Sequence, residues 1–227
     1  MKDFEKRVNE IDLEFKVFLD ENKNQIAFVD GIIDFESYLN SKIKIMWILK
    51  EPNSTEEGLD WREEIRELKT ETGIKFGWEK TFLPIIYSTY GILNNKNWNE
   101  IPDVSRDPEI VDVLKSIAFV NVKKIAGESV AYYKELVDFH NKHGKILLKQ
   151  IEVYNPDVII CGSTFDIIGT DIIDDNFELI QEFKLDVHRS KKRIILDAYH
   201  PNNRVRGLTK EKYCDTIINS VLKYKNP

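Results

Sequence analysis

The stretch Ile43-Lys44-Ile45-Met46-Trp47-Ile48-Leu49, followed at once by Lys50-Glu51-Pro52-Asn53, decides how the rest of the chain is read. Its apolar residues run almost without a break, where a strand with one wet face would alternate. Such a strand is covered on both sides, and Pro52 ends it. Three more runs share the pattern: Ile117-Ala118-Phe119-Val120-Asn121-Val122, Asp157-Val158-Ile159-Ile160-Cys161 and Arg193-Ile194-Ile195-Leu196-Asp197. Between and around them helices are expected near residues 3–22, 56–70, 79–93, 107–115, 128–154 and 208–224. In the first, Phe4, Val8, Ile11, Phe15 and Phe18 recur at helical spacing. Asp107-Pro108 is a helix start, Gly144 a break point within 128–154, and Asn155-Pro156 stops that segment before the third strand. Strands alternating with helices predict an α/β fold with three α/β/α layers around a short, mainly parallel four-stranded central sheet. Residues 171–192 read as irregular, with room for an extra strand or hairpin at the sheet edge. No repeat or low-complexity linker divides the 227 residues, which read as a single domain.

Composition narrows the function classes. A 42% hydrophobic and 32% charged chain is globular, not disordered. No window approaches a membrane span, and Met1-Lys2-Asp3-Phe4-Glu5 begins a charged helix, so a cytoplasmic chain with no membrane partner is expected. A net charge of −6 speaks against wrapping nucleic acid over the whole surface, and leaves a local basic patch open. Cys161 and Cys214 are the only cysteines, too few for a Cys-only iron–sulfur or zinc site, and Cys161 reads as a buried thiol closing a strand. With neither a Gly-x-Gly-x-x-Gly nor a Walker loop, no cofactor is expected. His140 and His143, at i and i+3 beside Asp138, have a spacing metals use, but read as helix surface; no metal is expected.

Open parallel sheets bind ligands beyond the carboxyl ends of their strands. There the chain carries Lys50-Glu51-Pro52-Asn53-Ser54, then Asn121 with Lys123 and Lys124, then Gly162-Ser163-Thr164, and last Ala198-Tyr199-His200-Pro201-Asn202-Asn203-Arg204. Asn121 interrupts an apolar run, and a buried amide must find partners, so it either reads a ligand or ties down a loop. Gly162-Ser163-Thr164 reads as a phosphate-cradling turn or a helix cap. Arg204-Val205-Arg206, beside His200, is placed to meet phosphates.

Taken in order, Trp47-Ile48-Leu49-Lys50-Glu51-Pro52-Asn53, Phe119-Val120-Asn121-Val122-Lys123, Val158-Ile159-Ile160-Cys161-Gly162 and His200-Pro201-Asn202 resemble the motifs of the uracil-DNA glycosylase superfamily. The resemblance spans about residues 43–208. It implies a glycosylase-like fold and hydrolysis of an N-glycosidic bond, releasing uracil or a related base from single- or double-stranded DNA or a nucleoside. It further implies that Glu51 orients water and stabilises positive charge on the sugar, and that His200 donates to the departing base. Asn121, with Asn53 beside it, would bind the base, and Trp61, or else Phe76, would stack on it. Ser163, Lys123, Arg204 and Arg206 would contact phosphates. Leu49 stands where the family places a glycine, and Arg204 where several members insert an apolar wedge. A nucleobase-binding module of the same fold with altered catalysis is the alternative.

Overall fold

A computed structural model of the protein describes residues 2–54, 60–127, 131–174 and 176–224. The chain runs α1 (Lys2–Glu21), β1 (Gly31–Ile32), α2 (Phe35–Asn40), β2 (Ile45–Leu49), α3 (Trp61–Arg66), β3 (Lys69–Thr70), β4 (Gly73–Ile74) and α4 (Glu79–Asn94). Two 3-10 helices, Trp98–Glu100 and Pro108–Ser116, precede β5 (Ile117–Asn121). Then come α5 (Tyr133–His143), α6 (Lys145–Tyr154), β6 (Val158–Gly162), α7 (Phe165–Ile172), β7 (Glu178–Glu182), β8 (Leu185–Arg189), β9 (Ile194–Ala198) and α8 (Lys210–Tyr224).

The fold is α/β, and its central sheet is mixed and seven-stranded, in the order β1-β5-β2-β6-β9-β8-β7. The four apolar runs form its contiguous parallel centre, β5-β2-β6-β9, with Trp47 opposite Phe119 on one side and Ile160 on the other. The sheet therefore exceeds the expected four strands. Two-residue β1 pairs antiparallel with β5, and the β7–β8 hairpin adds antiparallel to β9. The hairpin answers the expectation of an edge element within 171–192; β1 was too short to register as a period.

All five residues of β2, β5 and β6 are buried. Alternate residues feed two cores. Ile45, Trp47, Leu49, Phe119, Ile160 and Leu196 share one with α4 and α8, while Met46, Ile48, Val120, Ile159, Cys161 and Ile195 meet α1, α5, α6 and α7 on the other face. The expected long helix is split, as read, at Gly144. Three helical expectations change. Within 56–70 only Trp61–Arg66 is helical; residues 55–59 lie outside the described residues, and Lys69–Thr70 pairs with Gly73–Ile74 where Thr70, Thr72 and Gly73 weaken the helix. Residues 108–116 form a 3-10 helix, in which Pro108, Val111 and Leu114 line up at the three-residue repeat, with Val111 and Leu114 buried. Residues 165–172, not expected to be helical, form α7. Among the described residues no helix is long and apolar enough to cross a membrane.

This arrangement ranks positions by their cost. Ile160→Ala, in a strand covered on both faces, is expected to destabilise by about 2–5 kcal/mol. Leu179→Ala, exposed on edge strand β7, should stay within about 0.5 kcal/mol. Urea unfolding of the two variants checks this; similar losses would contradict the layering.

Candidate active site

The parallel strands run in the spatial order second, first, third, fourth, so chain order reverses between β2 and β6. In open sheets the ligand crevice lies beyond the strand ends at that reversal. The ends are laced together there. Thr164 Oγ1 donates to the Ile48 carbonyl at 3.0 Å, and so ties the loop after β6 to β2 instead of capping α7. The amides of Val122 and Lys123 donate to the carbonyls of Leu49 and Lys50 at 2.8 and 2.9 Å. Gly162 has no room for a side chain, because a Cβ there would meet the Leu49 side chain and crowd Pro201, with His200 Cα 3.7 Å away. The loops carrying Glu51, Asn121 and His200 thus leave one edge of the sheet. With strands about 4.8 Å apart, β2 and β9 end roughly 10 Å from one another.

His200 is held by its backbone and by its ring. Its amide donates to Ser163 Oγ at 2.8 Å, and its Nδ1 accepts from the Asn202 amide at 3.1 Å. Accepting at Nδ1 leaves the proton of the neutral ring on Nε2. Burial, helped by the charge of Lys50, pushes the His200 pKa down to about 4. At neutral pH the residue is therefore an uncharged donor through Nε2.

Glu51 is nearly buried, its side chain 5% exposed, and Lys123 Nζ lies 2.8 Å from its Oε2, out of line for a good hydrogen bond. The carboxylate sits against the backbone of Gly127, where any Cβ would collide with it, and the Gly127 amide donates to the Pro52 carbonyl at 2.9 Å. Lys123 also reaches Glu135 at 3.0 Å. Burial opposes its charge, but Glu51 and Glu135 outweigh that and raise its pKa. Lys123 is thus committed to two carboxylates and turned from the expected role on phosphates.

Asn121 is 2% exposed. Its amide N–H donates to Asp30 Oδ2 at 2.8 Å, and its side-chain Nδ2 lies a long 3.4 Å from the same oxygen. The other aromatic and polar expectations fall further apart. Trp61 is a core residue, its ring stacked on Phe28 at 5.7 Å and edge-on to Trp78 at 4.9 Å. Phe76 is 97% exposed after β4. Asn53 is exposed, next to residues outside the described ones. Ser163, at φ +58°, spends its hydroxyl on His200 and borders a cavity of about 560 Å³ with Asp166, Glu182, Asp186 and Asp197. Lys184 also lines it, so the acids outnumber the one cation; burial, with Asp166 and Asp186 adding to it, pushes Asp197 up to about 6. Arg204 and Arg206 are exposed and make no ion pair with the described residues. His140 Nε2 meets Asp171 at 2.7 Å and His143 packs against Phe18 and Phe139, so the two do not share a ligand. Among the described residues no group of His, Cys, Asp and Glu could hold a metal ion.

Sequence reasoning missed the groups around Asn121. Asp30 Oδ1 accepts from Lys124 Nζ at 2.7 Å, and Lys124 also reaches Gln150 Oε1 at 2.9 Å. Gln150 Nε2 returns to the Asp30 carbonyl and to Oδ1 at 3.0 and 3.1 Å. These residues are 30, 121, 124 and 150 in the chain, and the local signals were Asn121 itself, interrupting an apolar run, and a lysine shortly after that strand.

Compared with protein-family models and with curated protein sequences, the chain matches none.

The depressed pKa of His200 has a consequence for stability. Above about 6.5 the ring is neutral in both folded and unfolded chains; between 6.5 and about 4 only the unfolded chain takes up the proton, so stability falls as pH falls through that window. Chemical denaturation across pH 4–7 should show this slope in the wild type and a shallower one in His200→Asn. Identical slopes would show that His200 is not held neutral.

Proposed function

We propose that this protein binds a nucleobase beyond the ends of β2, β5, β6 and β9 and hydrolyses its N-glycosidic bond, as a divergent, three-layer α/β/α relative of the uracil-DNA glycosylases. The observation that carries the reading is the imidazole of His200: its Nδ1 is occupied by a backbone N–H, and burial keeps the ring neutral with a hydrogen on Nε2. Heterolysis of an N-glycosidic bond builds negative charge on the leaving base and positive charge on the sugar. A preorganised neutral donor stabilises the first, and a carboxylate such as Glu51 stabilises the second and orients water. The base reaches such a pocket flipped from a duplex, from a single strand, or as a free nucleoside. The exposed Arg204 and Arg206 lie next to this edge in sequence and are suited to a phosphate backbone.

One observation favours the second reading, a nucleobase-binding module without turnover. The Glu51 carboxylate already faces Lys123 at 2.8 Å, which cancels part of the negative field a cationic sugar would feel.

The test is release of uracil from single- and double-stranded oligonucleotides containing it. His200→Ala and Glu51→Gln should each reduce turnover by about 10²–10³-fold, the worth of one preorganised transition-state contact. Activity surviving both changes removes these residues from the mechanism. Binding of uracil without release by the wild type selects the binding module.

A further inference from the structure

β7 closes the seven-stranded sheet, and its outer side pairs with no described strand. Which of its backbone groups are free follows from the next hairpin. The Ser190 amide donates to the Arg193 carbonyl at 2.9 Å, and hydrogen-bonded pairs alternate along an antiparallel ladder. His188 and Asp186 therefore spend their N–H and C=O groups on β9, opposite Ile195 and Asp197. Leu185, Val187 and Arg189 are left to bond β7, through Glu182, Ile180 and Glu178. The N–H and C=O groups of Leu179 and Gln181 then point away from the sheet, a row by which an edge strand accepts one strand more. Neither a proline nor a bulge guards it, since β7 pairs with β8 without a break.

Side chains alternate between the two faces of this edge. Ile180 packs against the core shared with α8, where Glu182 is held by Lys223 at 3.0 Å and by Tyr224. Gln181 faces the other side, in one row across the strands with Asp186 and Asp197. Leu179, 54% exposed, shares that face. The row, with Asp166, lines the cavity of about 560 Å³, whose one cation is Lys184. Asp186 and Asp197 stand directly opposite each other, an arrangement that costs stability until a cation offsets it.

We propose that the outer side of β7 is a docking edge for an extended basic protein segment, which adds as an eighth strand and extends a lysine or arginine toward the cavity lined by Asp166, Asp186 and Asp197. Backbone pairing to Leu179 and Gln181 supplies the contact, and the carboxylates select the charge. Leu179 covers the aliphatic stem of the basic side chain. Charge also decides against a second copy of this chain. Antiparallel pairing of Leu179 with Gln181 between two copies would set Glu178 of one opposite Glu182 of the other, twice, and like charges so placed repel. Binding at this edge requires no catalysis by His200 or Glu51.

The experiment titrates short peptides of alternating valine and lysine, or of valine and glutamate, into the ¹⁵N-labelled protein by NMR at neutral pH. The lysine peptide should shift the amide signals of Leu179 and Gln181 and slow their hydrogen exchange. The glutamate peptide should bind at least about fivefold more weakly, the worth of one partly exposed ion pair. Gln181→Pro removes an outward N–H and leaves the β8 ladder intact, a change that edge strands accept, and it should abolish the protection. Asp186→Asn combined with Asp197→Asn keeps the backbone row and should bring the two peptides to near-equal affinity. Should Gln181→Pro fail to fold, this second variant decides. A wild type that does not bind the lysine peptide, that binds both peptides equally, or whose shifts lie away from β7 overturns the proposal. A concentration-dependent dimer that protects the same two amides without peptide also overturns it, by giving the edge to a second copy.

Discussion

Because β2, β5 and β6 leave no residue exposed, their amides and carbonyls have no water to turn to and must pair within the sheet. Parallel pairing with helical crossovers answers that need, and it fixes direction as well as position. All four parallel strands then end at one edge, where the ladder runs out and the last polar groups need other partners. The loops supply them: Thr164 to Ile48, Val122 to Leu49, Ser163 to His200. The constraint that builds the core thus also concentrates hydrogen-bonding side chains at the switch point.

The same constraint explains why Asp30 sits where it does. β1 is two residues long and covers only Phe119 and Ala118, so the amide of Asn121 is left beyond it. The Asp30 carboxylate extends the ladder by one hydrogen bond with a side-chain oxygen. A carboxylate in that place needs compensation, and Lys124 and Gln150 provide it from β5's own loop and from α6. An edge defect in the sheet has become a rigid acceptor next to an amide.

Much of this was legible from sequence, and the parts that were not share a cause. The four apolar runs named the parallel centre because two-sided burial writes itself as an unbroken apolar stretch. That the strand ends next to Glu51, Asn121 and His200 lie at one edge of the sheet follows from strand direction alone. Trp61 was expected to stack on a ligand, yet Phe28 and Trp78 hold it in the core, and nothing local separates a core tryptophan from a pocket one. Lys123 and Ser163 looked free for phosphate, and both are occupied by partners tens of residues distant. Position along a strand is periodic and readable; which long-range partner claims a polar side chain is decided by tertiary contact, and leaves no period behind.

Charge is unevenly distributed among the residues that follow these strands. Asp166, Asp186 and Asp197 gather on the face shared with α7, and raise Asp197 by their mutual repulsion on top of its burial. Four and six residues after His200 come the exposed Arg204 and Arg206, whose charge no described acid cancels. A chain of net charge −6 can still present an anion with an attractive approach, because the local field and not the total charge guides an encounter. On the proposed reading the neutrality of His200 has a purpose: an imidazolium would be drawn to any passing phosphate, while the uncharged Nε2–H would respond chiefly to an acceptor that becomes negative during hydrolysis.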